Sequence, residues 1–242
     1  MVAPPDDDML WAHSVAYAYS GSPALEGVSL GVREGEMLVV AGPRGSGKTT
    51  LLNCLSGQLL PDRGEVWFNS VPVHSLTRLG RERLRREQFG WIDSEPRLVP
   101  ELTVWENVAL PLILRGTPRR AARTTAREWL ERLDVGGEER QRPAALLQAQ
   151  RQRVTIARAL AATPKVLFAD EPTAPLHRAD RGQVLRTLTA AARSHGITVV
   201  LATHDSEAAP MADRSVSLLD GRRVGTIRVP DAEGRDTCSV SA

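Results

Sequence analysis

Aromatic side chains are scarce in this sequence of 242 residues, and neither sign of charge predominates. Tryptophan, tyrosine and phenylalanine together make up 4% of the chain, which is too few for a platform on which nucleic-acid bases stack. The formal net charge is +2, and the arginines are interleaved with acidic residues rather than clustered. The composition therefore gives no reason to expect nucleic acid as a partner.

Cysteines, leader-like segments and long apolar runs are also few or missing. The two cysteines, Cys54 and Cys238, indicate reduced thiols, as in cytosolic proteins, rather than a disulfide framework. Residues 1–8 contain prolines and three acids instead of a basic segment followed by an apolar one, so we expect no signal peptide. No apolar run approaches the about 20 residues that cross a bilayer, so work at a membrane would need another chain to cross it.

Lysine is the rarest charged residue, and one of the two lysines lies in the most informative segment. Lys48 belongs to AGPRGSGKTT, directly after the apolar run at 37–40, whereas Lys165 lies elsewhere. The pattern GxxxxGK[ST] between a strand and a helix predicts a phosphate-binding loop, because its glycines let backbone N–H groups face the phosphates. Lys48 would reach the β- and γ-phosphates, and Thr49 would hold Mg²⁺; a glycine-rich turn without a ligand is the alternative. The candidate binding residues are Gly42, Pro43, Arg44, Gly45, Ser46, Gly47, Lys48, Thr49 and Thr50.

Hydrophobic periodicity divides the rest of the chain into strands and helices. Alternating residues predict antiparallel hairpin strands at 15–19 and 28–32, and another short strand is predicted at 65–68. Continuous apolar runs, typical of parallel strands buried on both faces, occur at 166–169 and 197–201. Helices are predicted at 76–88, 121–133, 148–161 and 179–194, and a closing hairpin at 215–219 and 224–229. Because residues from about 91 to 160 are mostly helix-forming, they predict a helical insertion.

Acidic and histidine side chains follow the two predicted buried strands. Asp170 and Glu171 end the first of them, and His204 follows the second in the segment LATHD. The carboxyl ends of parallel strands meet at one crevice, where Asp170 would support Mg²⁺ and Glu171 would polarise a water against the γ-phosphate. Seen alone, adjacent acids at a strand end or a capping histidine are common, so the interpretation depends on the phosphate loop.

Taken together, these segments resemble the ATP-binding subunits of ABC transporters from about Leu10 to Val229. The segments LFADEPT and LATHD are similar to the acidic motif and the switch-histidine loop of that family. PELTVWENVALPLILRG and RQRVTIARAL are similar to its helical subdomain, especially in the branch that serves lipoprotein-release and macrolide-export systems. The resemblance implies that Tyr19 stacks on adenine, with Tyr17 as the alternative; packing on the strand face is the competing role for either tyrosine.

The resemblance also implies a fold, cofactors and partners. The predicted fold class is α/β, with a P-loop NTPase core and parallel sheet, an N-terminal antiparallel β subdomain and an inserted helical subdomain. The ABC ATPase domain is expected over 9–229, with the insertion at about 91–160, and a flexible tail over 230–242. ATP and Mg²⁺ are the expected cofactors, and His204 the γ-phosphate sensor. The subunit is expected on the cytoplasmic face of the plasma membrane, docked on integral membrane permease subunits.

Five positions depart from the family pattern. In ABC dimers the phosphate loop of one subunit faces the LSGGQ signature of the other, but here Leu147 replaces the serine, and Gln148 and Ala149 replace the glycines. Ser94 stands where the family has a loop glutamine, and His177 where it has an acid in the dimer-contact loop. Side chains in the signature hinder the close backbone approach that glycine permits.

These departures predict weak ATP hydrolysis by the isolated subunit. They favour a heterodimer with a second ATPase subunit, although a homodimer is also possible. The alternative function is a hydrolysis-deficient nucleotide-binding regulatory subunit of a membrane complex. A soluble DNA-repair or translation ATPase is a third hypothesis, disfavoured because the chain has no tandem cassette or long coiled-coil insertion.

Overall fold

The structure is a computed structural model that describes residues 8–205 and 208–228. Two predicted features, the hairpin residue Val229 and the tail at 230–242, lie outside the described residues. The described strands are β1 (Asp8–Tyr19), β2 (Ser22–Arg33), β3 (Met37–Ala41), β4 (Arg63–Phe68), β5 (Val71–Pro72), β6 (Phe89–Ile92), β7 (Val166–Asp170), β8 (Thr198–Thr203), β9 (Arg214–Leu219) and β10 (Arg222–Arg228). The α-helices are α1 (Lys48–Leu55), α2 (Arg78–Gln88), α3 (Val104–Leu114), α4 (Arg119–Arg132), α5 (Gln148–Ala161) and α6 (Arg178–Ser194).

Two sheets form the framework, and they confirm the predicted fold class. The first is antiparallel, in the order β2-β1-β4-β5. The second has the order β10-β9-β3-β8-β7-β6, in which all strands except β10 are parallel. The first hairpin is longer than predicted, because the turn is confined to Ser20 and Gly21 and the strand resumes at Ser22. The positive φ angles of both turn residues allow this tight reversal.

Strand β6 corrects the sequence analysis, which assigned no strand between residues 68 and 166. Its last two residues fall inside the region predicted as a helical insertion. The strand is only four residues long, and its pattern is interrupted by Gly90. A Cβ atom at Gly90 would lie 2.9 Å from side-chain atoms of Leu167 in β7 and of Pro164. Glycine therefore lets these two side chains pack closely against β6.

The helices were predicted more accurately than the strands. Helix α5 has the predicted bounds, and α2 shows the predicted solvated surface, with salt bridges between Arg78 and Glu82 and between Arg83 and Glu87. Helix α3 begins at a capping box in which Glu106 accepts hydrogen bonds from both the backbone N–H and the hydroxyl of Thr103. Helices α3, α4 and α5 pack together as one layer.

Successive residues of the central strand β3 face two separate apolar cores, as expected for a strand covered on both sides. Leu38 and Val40 pack with α1 and the antiparallel sheet, whereas Met37 and Val39 pack with helices α3 to α6. The two cores fix β3, β7 and β8 side by side, so the loops at their carboxyl ends meet at one edge. Within the described ranges, no helix has the length and apolarity needed to cross a membrane.

Candidate functional site

The loop between β3 and α1 is shaped by glycines that no other residue could replace without strain or collision. Gly42 and Gly47 have φ angles of 156° and 98°, in the range that favours glycine. A Cβ atom at Gly42 would collide with the carbonyl oxygen of Leu218, and one at Gly47 would lie 2.5 Å from the carbonyl oxygen of Ala24. The loop therefore curls tightly at the amino end of α1, as a phosphate-binding loop requires.

Lys48 is buried at the centre of this loop. Its Nζ donates hydrogen bonds to the carbonyl oxygens of Gly42 and Pro43, both at 2.8 Å, and lies 3.9 Å from Glu171 Oε1. A buried ammonium group is costly unless it is paired and hydrogen-bonded, and these contacts hold it in a fixed place. The charge of Lys48 is thus ordered between the loop and the end of β7.

Thr49 and Asp170 meet beside the lysine. The Thr49 hydroxyl donates to Asp170 Oδ2 at 2.8 Å, whereas Asp170 Oδ1 is buried and has no hydrogen-bond partner among the described residues. Burial raises the pKa of the Asp170 carboxyl group, and the hydrogen bond from Thr49 opposes that rise. An unpaired buried carboxylate oxygen beside a hydroxyl fits Mg²⁺, which proteins bind through one or two carboxylates together with substrate phosphates. Ser46 Oγ is likewise buried without a partner in the described part of the chain.

Glu171 is held by the end of β8. Its Oε1 accepts hydrogen bonds from the backbone N–H of His204 at 3.0 Å and from Nδ1 of the same residue at 2.7 Å. The Thr203 hydroxyl donates to Oε2 at 3.1 Å. Glu171 has a φ of 47°, an uncommon value outside glycine, and its own N–H donates to Ala202 at 2.8 Å. The two predicted catalytic residues, Glu171 and His204, are therefore in direct contact.

The tyrosine predicted to bind adenine lies near the phosphate loop. Tyr19 is 47% exposed, and its hydroxyl lies 3.5 Å from Thr50 Oγ1. Tyr17 packs against the core around α1, and burial raises the pKa of its hydroxyl. The two rings meet edge to face, 4.9 Å apart. Since Tyr19 has the more accessible ring, it stays the preferred prediction for the adenine platform.

One cleft is lined by six of the thirteen predicted site residues, among them Lys48, Glu171 and His204. It has a volume of about 570 Å³ and is lined by Arg44, Gly45, Lys48, Thr49, Ser94, Gln148, Glu171, Ala174, Pro175 and His204. Two of the departing positions, Ser94 and Gln148, therefore face the same space as the phosphate loop. Leu147, 73% exposed, and the exposed His177 do not line it. Leu147 immediately precedes α5 and His177 immediately precedes α6.

Gln152 was not among the residues predicted from the sequence to support the site. This residue is fully buried on α5, and its Nε2 donates to the carbonyl oxygens of Asp93 and Pro172, both at 2.9 Å. One signal was available in the sequence: Gln152 lies four residues after Gln148, a polar residue next to the apolar face of the predicted helix. The pattern could not show which loops this amide would reach.

Comparisons with known proteins identify the family of this chain. A family model described as ABC transporter matches residues 25–174. The uncharacterized ABC transporter ATP-binding protein Rv2564 of Mycobacterium tuberculosis is 40% identical over 195 residues, which are 81% of this chain. The chain spans only 59% of the length of that relative. The lipoprotein-releasing system ATP-binding protein LolD 2 of Caulobacter vibrioides is 41% identical over 199 residues, covering 82% of this chain and 87% of the relative.

A solved structure gives the same result at the level of the fold. The dimeric ATP-binding cassette MJ0796, bound to ADP and Pi in a post-hydrolysis state, superposes with a TM-score of 0.85 at 32% identity. The superposition covers 92% of this chain and 99% of that cassette. With the family model matching more than half of the residues, the chain belongs to the ABC transporter family and carries its ATP-binding domain.

Proposed function

We propose that this chain is the ATP-binding subunit of an ABC transporter, and that it couples ATP hydrolysis to transport through separate permease subunits. The observation that carries the proposal is the single cleft in which Lys48, Thr49, Glu171 and His204 converge. The expected location is the cytoplasmic face of the plasma membrane, where the subunit would be peripheral. The LolD 2 relative is named as the ATP-binding protein of a lipoprotein-releasing system, which supports work together with other subunits. Nothing in the described cleft favours the hydrolysis-deficient alternative, because Glu171 and His204 are both in place.

The residues of the cleft divide the work of hydrolysis. Lys48 and the backbone of the phosphate loop bind and orient the phosphates, and Tyr19 supports the adenine. Thr49 and Asp170 would hold Mg²⁺, which would neutralise phosphate charge when bound. Glu171 orients the attacking water and accepts its proton, because its carboxylate faces the cleft. His204 fixes that carboxylate and senses the γ-phosphate.

We further propose that turnover is weak in a homodimer. The signature segment has lost a serine hydroxyl, and Leu147 presents an exposed apolar side chain in its place. A hydrogen bond to a charged group contributes about 1.5–3 kcal/mol, so its loss weakens closure on ATP by roughly ten- to a hundred-fold. Gln148 and Ala149 carry side chains where glycine would let the backbone of the signature approach the γ-phosphate bound by a partner subunit.

The distribution of the departures supports a heterodimer. This chain retains Lys48, Asp170, Glu171 and His204, which act on its own nucleotide, although Ser94 replaces the loop glutamine in the same cleft. It has lost the signature residues that would act on the nucleotide of a partner, because residues 147–149 differ from the family signature. A second ATPase subunit with an intact signature would complete the site around Lys48. Purification of the membrane complex tests this, since two copies of this chain without another ATPase would contradict the heterodimer.

An apolar groove offers a place for the permease. It encloses about 290 Å³ and is lined by Arg85, Arg86, Phe89, Gly90, Trp91, Leu110, Pro111, Leu114, Arg115, Arg158, Ala159 and Ala162. Its apolar floor and its arginines suit a short amphipathic helix with acidic residues. Leu114, 65% exposed, lines the groove, whereas Leu79, 76% exposed, lies outside it on α2. Leu114→Glu should reduce co-purification of the permease without affecting nucleotide binding, and Leu79→Glu is the matched control; equal loss in both would contradict this docking site.

The main test uses the two lysines of the chain. We expect the purified protein to bind Mg·ATP and to hydrolyse it slowly, and faster when assembled with the permease. Lys48→Ala should weaken Mg·ATP binding by roughly ten- to a hundred-fold without unfolding the protein. Lys165→Ala is the matched control and should bind normally. Absence of nucleotide binding by the folded protein would contradict the proposed function, and vigorous turnover by the isolated chain would contradict the weak homodimer.

A further inference from the structure

Gln152 joins three parts of the molecule that border the cleft. It lies on α5, is 0% exposed, and donates through Nε2 to Asp93 and to Pro172. We propose that Gln152 is a positioning residue that couples displacement of α5 to the orientation of Glu171. The inference rests on the proposed ATPase function. It states that a residue outside the cleft controls the hydrolytic step that takes place in the cleft.

The two acceptors of Gln152 belong to loops that leave neighbouring strands. Asp93 directly follows β6 and precedes Ser94, which lines the cleft. Pro172 directly follows Glu171 at the end of β7, and β6 and β7 are paired through Ile92 and Ala169. One side-chain amide therefore holds both loops against α5, a helix that is adjacent in sequence to neither loop. The carbonyl oxygens of the two loops cannot bond to each other, whereas the amide of Gln152 donates to both.

The position of Glu171 depends on support from both sides. On one side, Glu171 N–H donates to Ala202 and its carboxylate accepts from Thr203 and His204. On the other side, the carbonyl oxygen of Pro172, the residue after Glu171, accepts a hydrogen bond from Gln152. The positive φ of Glu171 persists only while the surrounding contacts over-determine it. Loss of the Pro172 contact would therefore let the carboxylate move.

The side-chain amide of Gln152 is satisfied through its donor only. Its Oε1 is buried and has no hydrogen-bond partner within the ranges that the structure describes. An apolar side chain of similar shape would remove this unpaired acceptor, but it would leave the carbonyl oxygens of Asp93 and Pro172 without the donor that they share. The two donated hydrogen bonds are therefore what Gln152 contributes at this site.

Helix α5 can carry a displacement from the cleft to Gln152. Gln148 lines the cleft at the first turn of the helix, and Gln152 lies one turn further along the same face. A regular helix moves as a unit over one turn, so a shift of Gln148 also shifts the amide of Gln152. The two loops held by that amide would then follow.

The kinetic test uses the subunit assembled with its permease and compares variants of similar size. Gln152→Met retains the length of the side chain but has no donor, and Gln152→Glu presents acceptors to the two carbonyl groups. We expect kcat to fall roughly tenfold or more in Gln152→Met, and further in Gln152→Glu, while KM for Mg·ATP stays within about twofold. Gln152→Asn keeps the amide on a side chain that is one methylene shorter, and its kcat should also fall. This variant provides the test if the other two do not fold. Thr155→Val is the control, because the Thr155 hydroxyl is buried on the same helix and, among the described residues, donates to the carbonyl oxygen of Arg151 within α5.

A second measurement does not depend on hydrolysis. Amide hydrogen exchange on the full chain, with and without Mg·ATP, should show that nucleotide slows exchange at the phosphate loop in both wild type and Gln152→Met. The segments 93–99 and 172–176 should be protected by nucleotide only in the wild type. Wild-type kcat in a folded Gln152→Met variant, or equal protection of both segments in the two proteins, would overturn the proposal. If the wild-type complex binds Mg·ATP without hydrolysing it, the proposed ATPase function fails, while the exchange pattern still decides whether Gln152 couples the loops.

Discussion

The imidazole of His204 is hydrogen-bonded to the carboxylate of Glu171, with 2.7 Å between His204 Nδ1 and Glu171 Oε1. The backbone N–H of His204 donates to the same oxygen, and the Thr203 hydroxyl donates to the other. Lys48 Nζ lies 3.9 Å away. Donors at and directly after the end of β8 thus orient the carboxylate for its proposed role as general base. Such orientation of a general base raises the rate because less reorganisation is needed in the transition state.

Removal of either member of this pair should affect hydrolysis more than binding. We expect Glu171→Gln to retain Mg·ATP binding while hydrolysis falls by about a hundredfold or more, since general-base catalysis contributes roughly 10²–10⁴-fold. His204→Ala should lower hydrolysis roughly ten- to a hundred-fold, because the carboxylate loses an orienting hydrogen bond to a charged group. Steady-state hydrolysis and equilibrium nucleotide binding measure the two effects separately. The control is His195→Ala, in the loop that precedes β8, whereas His204 directly follows the strand. Full activity in His204→Ala would contradict the proposed role.

Asp170 should be required for Mg²⁺ and costly for stability. Because its carboxylate is buried and Oδ1 lacks a partner among the described residues, Asp170→Asn removes a desolvated charge without changing shape. We expect the half-saturating Mg²⁺ concentration for ATP binding to rise roughly tenfold or more, since one charge-assisted contact is lost. The Tm without nucleotide should stay equal or increase.

The control for this prediction is binding without the metal. ATP binding measured in excess EDTA should be similar in the wild type and in Asp170→Asn, since Lys48 and the loop are unaffected. An unchanged Mg²⁺ dependence in Asp170→Asn would show that another residue holds the metal.

Local patterns predicted the parts of the fold that local physics determines. The phosphate loop was recognisable because its turn needs glycines at fixed spacing, and α5 because its apolar positions recur with the helical period. Strands β7 and β8 were predicted from continuous apolar runs, since both faces of a parallel sheet are covered. In each case the property that fixes the element lies within a few consecutive residues.

Features that depend on distant residues were not predicted. Strand β6 is too short to show a period, and its place at the edge of the core sheet depends on pairing with β7, about 75 residues later. The bonds from Gln152 to Asp93 and Pro172 are equally non-local. The contact between Glu171 and His204 could be anticipated only in part: parallel strands place both at one edge, but the rotamers that bring them together depend on packing.

Cys54 offers a probe of opening around the phosphate loop. It lies on α1, and burial raises the pKa of its thiol to about 12. In a Cys238→Ser background, alkylation at pH 8 should be on the order of a hundredfold or more slower in the native protein than in urea. Mg·ATP should slow alkylation of the native protein further, by a factor that grows with the ratio of the Mg·ATP concentration to its Kd. In Lys48→Ala, Mg·ATP should no longer slow alkylation.

The raised pKa of Cys54 also fixes the sign of a pH effect. In the unfolded chain the thiol ionises near its ordinary pKa of 9.0, whereas in the folded state it stays protonated. The contribution of the neutral thiol to the unfolding free energy is therefore fully present below pH 9 and is lost as the pH rises towards 12. Cys54→Ala should reduce this part of the pH dependence. Rapid alkylation of the native protein at pH 8 would contradict the burial of this thiol.

Restoration of the signature tests whether it limits closure of the dimer. We expect the triple change Leu147→Ser, Gln148→Gly and Ala149→Gly, made together with Glu171→Gln to retain ATP, to increase the dimer fraction. The serine returns a hydroxyl donor, and the glycines let the backbone approach the γ-phosphate. Light scattering with and without Mg·ATP measures the dimer fraction. The increase should require nucleotide, because it depends on the phosphate as the shared ligand.

Two effects of the triple change must be separated. Glycine at the start of α5 costs up to about 1 kcal/mol per position in a helix interior and less at its first turn, so the Tm should fall slightly. Removal of the exposed Leu147 side chain also reduces nucleotide-independent association, and Leu147→Ser alone controls for it. Addition of Lys48→Ala to the triple change should abolish the ATP-dependent dimer, because the phosphate would no longer be held on the other side. If the restored protein remains folded and its dimer fraction with Mg·ATP is unchanged, the signature does not limit closure.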